Sequence, residues 1–69
     1  MYRIGENYAV ILKGNITFTG KILEEDAMQI KIHTIKDEKI IIGKEEILRS
    51  FEKTDEEMEK LIKKVHGGD

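Results

Sequence analysis

Between Ile16 and Ile35 the chain reads ITFTGKILEEDAMQIKIHTI, two runs of alternating character separated by acidic residues. In Ile16–Leu23 the apolar residues Ile16, Phe18 and Ile22 fall on every second position, and Gly20 stands where a fourth would be. In Met28–Ile35, Met28, Ile30 and Ile32 alternate with Gln29, Lys31 and His33. Period two is the mark of strands with one buried and one wet face. The break Glu24-Glu25-Asp26 is short and polar, so the two strands are expected to form an antiparallel hairpin. A glycine inside a strand pattern marks a bend or bulge, which is how a short sheet curls. The expectation is a small, strongly bent barrel.

The rest of the chain extends this pattern. Ordered structure is expected from Ile4-Gly5, and Tyr8–Lys13 reads as a first strand with Tyr8, Val10 and Leu12 on one face. Gly14-Asn15 is a turn dipeptide suited to positive φ. Lys36-Asp37-Glu38-Lys39 is a charged turn, and Ile40-Ile41-Ile42 a short strand whose periodicity is hidden because every position is apolar. Gly43-Lys44-Glu45-Glu46 breaks it, and Ile47–Phe51 reads as a fifth strand. At Thr54 the pattern changes. Thr54-Asp55-Glu56-Glu57 fits a capping box, and Met58, Leu61, Ile62 and Val65 then recur at helical spacing. Lys63, Lys64 and His66 suit the negative end of the helix dipole, and Gly67-Gly68 ends it. The fold class is therefore mainly β: a five-stranded, strongly bent antiparallel small barrel over residues 1–53, followed by one amphipathic helix over 54–66 packed on it as part of the same domain.

Length and charge narrow the function. A chain of 69 residues is one domain, and one of this size buries only about 60% of its unfolded surface, so its own core is marginal. There is no cysteine to staple it. Lys and Arg number 12 against 14 Asp and Glu; residues 1–51 are neutral and residues 52–69 carry the net −2. Nucleic-acid modules usually carry excess basic charge, so the balance lowers the expectation of tight phosphate-driven binding. No apolar run approaches the ~20 residues of a membrane helix, and the N-terminus lacks a signal-peptide pattern. A cytoplasmic protein is expected. His33 and His66 have no sequence reason to meet, so no metal site is expected. With no cysteine nucleophile, Ser50 the sole serine, and no Gly-rich phosphate loop, no enzyme and no cofactor are expected.

Residues 4–51 resemble the Sm-like family of small barrels, in the order and near-gapless spacing of its two motifs. Ile4-Gly5, Tyr8-Ala9-Val10-Ile11-Leu12, Gly14-Asn15 and Gly20 are similar to the opening of the first motif. Ile22 and Asp26 stand two and six positions beyond that glycine, as in the family, and Met28-Gln29-Ile30-Lys31-Ile32 follows one residue early. Ile40-Ile41-Ile42-Gly43-Lys44-Glu45-Glu46-Ile47, followed by Phe51, resembles the second motif. SH3-like barrels share much of this pattern. In two places the chain departs from the family: Gln29 replaces an Asn that reads a base, and Ile42 replaces an Arg that stacks on one. The family's N-terminal helix is missing, and the C-terminal helix is expected to cover the same end of the barrel.

The resemblance implies a single-stranded RNA site at Asp26, Met28, Gln29, Gly43 and Lys44. Gln29 would contact a base, Met28 would pack beneath it and Lys44 would contact phosphate. From the residues alone, Asp26 and Gly43 are turn residues and Met28 is core. Glu24, Glu25, Asp26, Glu45 and Glu46 occupy the same loops and repel phosphate unless Lys31 and Lys44 offset them. Lys13, Lys21, Lys31 and Lys36 would make a basic stripe, although lysines on strands more commonly solubilise and protect edges. In the family the fourth strand of one protomer pairs with the fifth of the next and closes a ring. Ile40, Ile41, Ile42, Ile47, Leu48 and Phe51 are the corresponding residues here, and edges this rich in isoleucine aggregate if left bare. A homo-oligomer is expected. The helix stripe reads as core packing, or as a surface that docks on a neighbouring subunit. The alternative to an RNA-binding ring is an oligomerisation or protein-docking module that has lost its nucleic acid.

Overall fold

The computed structural model describes residues 1–65. Five strands, β1 (Asn7–Leu12), β2 (Ile16–Glu25), β3 (Gln29–Thr34), β4 (Lys39–Gly43) and β5 (Ile47–Lys53), form one antiparallel sheet in the order β4-β3-β2-β1-β5. A 3-10 turn, Lys44–Glu46, joins β4 to β5, and a single helix α1 (Asp55–Val65) follows. His66 and Gly67-Gly68, expected to finish the helix, lie outside the described residues.

The link between β4 and β5 dictates the shape. These strands are the opposite borders of the sheet, about 19 Å apart if four strand spacings lay flat. Three residues of 3-10 turn span only about 8 Å between Gly43 and Ile47. The sheet must therefore curl until its borders face one another. Hydrogen bonds hold the link in place: the Lys13 amide donates to Glu46 O (2.9 Å) and the Lys44 amide to Met28 O (2.8 Å). The curl leaves β4 paired only with β3, and β5 only with β1, among the described residues.

The curl has two local causes in β2. Its partner β3 passes so close to Gly20 that a Cβ there would sit on the carbonyl oxygen of His33 and 2.7 Å from Cα of Thr34. The register then shifts between Ile22 and Glu24, a bulge that adds twist. Gly20 thus admits the close approach, and the bulge lies beyond it. Glu24 and Glu25, expected in the turn, instead stay in the ladder opposite Lys31 and Ile30. Lys31 lies 4.0 Å from Glu24 and Lys44 lies 2.8 Å from Glu25, so both carboxylates gain a partner by remaining in the strand. The turn shrinks to Asp26-Ala27-Met28. In the β1–β2 connection, Gly14 (φ +85°) and Asn15 (φ +62°) take the positive dihedrals expected of them.

Period two decides the core. Tyr8, Val10, Ile22, Ile30, Ile32 and Ile42 form a single buried cluster, with Tyr2, Leu12, Phe18, Ile40 and Ile47 packed against it. Two polar groups at its margin are satisfied. The Tyr8 hydroxyl accepts the Arg3 amide (3.0 Å), and buried Thr34 accepts the Glu38 amide on Oγ1 (3.2 Å). The capping box of α1 forms as expected: the Thr54 amide donates to Glu57 Oε1 (2.9 Å) and the Glu57 amide to Thr54 Oγ1 (3.2 Å). Of the helical stripe only Met58 is buried; Leu61 is half-buried, and Ile62 and Val65 are exposed.

Replacing Gly20 by Ala forces two strands apart at the bend. We expect Gly20→Ala to lower the unfolding free energy by about 3 kcal/mol or more, the range of overpacked or strained buried sites. Urea denaturation followed by circular dichroism measures this, and a loss within about 0.5 kcal/mol would contradict the close approach.

Candidate functional site

The five residues implied as an RNA site come together on one end of the barrel. Gln29 stands opposite Gly43 across the β3–β4 ladder, and the Met28 carbonyl receives the Lys44 amide. Asp26 organises the turn: its Oδ1 accepts the amides of Met28 (2.8 Å) and Gln29 (2.9 Å), and the Asp26 amide donates to Gln29 O (3.0 Å). An aspartate bonded to its own following backbone is the usual device for a tight turn. The two amides hold the Asp26 carboxyl below its ordinary pKa. Met28 precedes β3 and is 75% exposed, so the expectation that it is core fails: the turn lifts it off the sheet before the inward alternation begins at Ile30. Gln29 is exposed beside it.

The electrostatics of this end differ from a phosphate site. Lys44, the expected phosphate contact, is bound 2.8 Å from Glu25 Oε2. That same oxygen accepts the Tyr2 amide (3.2 Å). The hydrogen bond from Lys44 foremost, then that of Tyr2, lowers the Glu25 pKa. Lys31 faces Glu24. Both lysines that could offset the acidic loops are thus already matched. A shallow hollow of about 440 Å³ is lined by Met1, the Glu25 and Asp26 carboxylates, Ala27 and the Lys44 ammonium, and the α-ammonium of Met1 adds to the lowering of the Glu25 pKa. Sequence reasoning places Glu25 in the loop and misses its position in the strand, where it pairs with Lys44. The bulge in β2 reverses the alternation after Ile22 and brings Glu25 opposite the inward-facing Ile30. Nothing in the sequence marks that reversal.

The residues expected at an oligomer interface divide. Ile42 is 5% exposed and belongs to the core cluster, so its side chain is used within the protomer. Ile40 and Ile47 are half-buried against that core. Ile41, opposite Lys31 on the outer face, is 60% exposed. Leu48 is 59% exposed because the register between β1 and β5 shifts from Ile11–Arg49 to Leu12–Ile47, which leaves Leu48 opposite no residue. Phe51 is 50% exposed, with the Arg49 guanidinium 5.8 Å from its ring centre. An apolar hollow of about 320 Å³ opens beside β4, lined by Leu12, Ile16, Phe18, Ile40 and Ile42 with Glu46 at its rim. Of the two histidines, His33 Nε2 lies 2.6 Å from Asp37 Oδ1, and His66 is outside the described residues. No helix among the described residues is long and apolar enough to cross a membrane.

Glu25, Asp26 and Glu57 all have pKa values lowered by the hydrogen bonds they accept, the Glu57 shift coming first from the Thr54 amide. A lowered folded-state pKa contributes stability that is fully present above the unfolded-state value and is lost as pH falls through the folded one. Unfolding midpoints in urea are therefore expected to hold steady near neutral pH and drop below about pH 4. Asp26→Ala should flatten part of that drop and speed amide exchange at Met28 and Gln29; unchanged exchange there would contradict the role given to Asp26. No family model, curated protein or solved structure matched this chain, so the Sm-like resemblance rests on the residues between 4 and 51.

Proposed function

We propose that this protein is a non-catalytic, self-assembling small barrel of Sm-like type, in which β4 of one protomer pairs with β5 of the next. The observation that carries the reading is the pair of open sheet borders flanked by exposed Ile41, Leu48 and Phe51. Unpaired strand edges with apolar side chains are templates for another strand. Here the two borders are different strands of one chain, so pairing is head-to-tail, and repeated pairing closes into a ring when the rotation between copies permits. A buried cluster of six residues among the described ones, in a chain of this size, is a marginal core by itself. Burying the borders against identical copies adds to it.

A second reading, single-stranded RNA at the Asp26–Gln29 turn, is favoured by one feature: Met28 and Gln29 are exposed on a turn whose backbone Asp26 fixes. With Lys31 and Lys44 engaged by carboxylates, binding there would be weak, base-directed and little affected by salt. The self-assembling module is therefore the stronger of the two readings.

Light scattering coupled to size exclusion tests the proposal. The expected mass is a multiple of 8.0 kDa. Ile41→Asp and Leu48→Asp, both at exposed positions, should shift the protein toward monomer by weakening association at least about tenfold, the effect of a 1.4 kcal/mol interface loss. A folded 8.0 kDa species at all concentrations would overturn the reading.

A further inference from the structure

Burial along α1 falls off from its first turn to its last. Met58 is 7% exposed, Leu61 is half-buried, and Ile62 and Val65 are 42% and 39% exposed. These residues share one stripe of the helix. The barrel of the same protomer therefore covers the start of the stripe and leaves its end in water.

A second apolar feature is also without cover, the hollow of about 320 Å³ at Leu12, Ile16, Phe18, Ile40 and Ile42, where Ile16 is 51% exposed. The two features belong to opposite ends of β1. The helix starts one residue beyond Lys53, which stands opposite Asn7, whereas the hollow lies at Leu12. The strand rise between Asn7 and Leu12 is about 17 Å, and α1 itself is only about 16 Å long. No residue of α1 lines the hollow, so the stripe of one protomer does not fill its own hollow.

The rims of the two features carry matching charges. At the hollow, Lys13 and Glu46 stand side by side, the Lys13 amide donating to Glu46 O (2.9 Å). On α1, Glu59 and Lys63 flank Ile62, one helical turn apart. Both pairs are spaced about 5–6 Å. All four side chains are exposed, and none forms an ion pair among the described residues. An ammonium and a carboxylate on one rim thus meet a carboxylate and an ammonium on the other, the arrangement that fixes register between partners.

We infer that the exposed end of α1, through Ile62 and Val65, docks in the Leu12–Ile16–Phe18 hollow of a second copy of this chain, with Glu59 facing Lys13 and Lys63 facing Glu46. The contact buries apolar surface that each copy otherwise presents to water. Its anchors are Ile16 on β2 and Ile62 on α1, away from the β4 and β5 borders, so it stands whether or not those borders pair.

The chain has no cysteine, which allows disulfide trapping in the full-length protein. Ile16→Cys and Ile62→Cys, both at exposed positions, are mixed in equal amounts under mild oxidation. The disulfide between the two different variants should form at least about tenfold faster than that of either variant with itself, because docking raises the local thiol concentration. Adding Lys63→Glu to the Ile62→Cys variant should slow it about fivefold by opposing like charges, and adding Glu46→Lys to the Ile16→Cys variant should then restore the rate. Phe51→Asp, on the β5 border, should leave the rate within about twofold when placed in both variants. The inference is overturned by equal rates for all three disulfides, by absence of cross-linking, or by faster self-linking of the Ile62→Cys variant, which would pair helix with helix. Failure of the charge exchange to rescue, or loss of the cross-link with Phe51→Asp, overturns it as well.

Discussion

A three-residue connection between the two opposite borders of one sheet is the constraint from which the rest of this structure follows. Gly43 and Ile47 can be joined by Lys44–Glu46 only if four strand spacings are rolled up. Rolling requires a strand that bends. β2 supplies the bend through the close approach at Gly20 and the bulge after Ile22. The inward faces then converge on one cluster built mostly from isoleucine. The same roll leaves β4 and β5 each with one ladder partner among the described residues, and it is on these borders that the proposed self-assembly rests.

The chemistry at the two ends of the barrel is set by the same geometry. At the Asp26–Gln29 turn, carboxylates that the alternation would have left in solvent are drawn into the ladder and matched to Lys31 and Lys44. That pairing steadies the turn and removes the free cations a phosphate would need. On the outer face the register sets Lys21, His33 and Lys39 in one row, with Asp37 bonded to His33.

Much of the fold was legible in the sequence, and the reasons are local. Period-two alternation marks Tyr8–Leu12, Ile16–Ile22 and Ile30–Ile32; Gly14-Asn15 marks the turn; Thr54 and Glu57 mark the helix start. Each of these signals arises from residues near one another in the chain. Signals that depend on a partner strand were not legible. The bulge that turns Glu25 inward, the shift that leaves Leu48 unpaired, and the burial of Ile42 beside exposed Ile41 all depend on which residue lies across the ladder. The grouping of Asp26, Met28, Gln29, Gly43 and Lys44 could be anticipated from the resemblance, whereas the engagement of Lys44 by Glu25 could not.

The central claim is that the β4 and β5 borders are covered by copies of the same chain. Amide hydrogen exchange at several protein concentrations tests it strand by strand. Protection of the border amides of β4 and β5 should rise with concentration while that of β2 and β3 core amides stays level. Border amides that exchange equally fast at every concentration, in a folded protein, would contradict it.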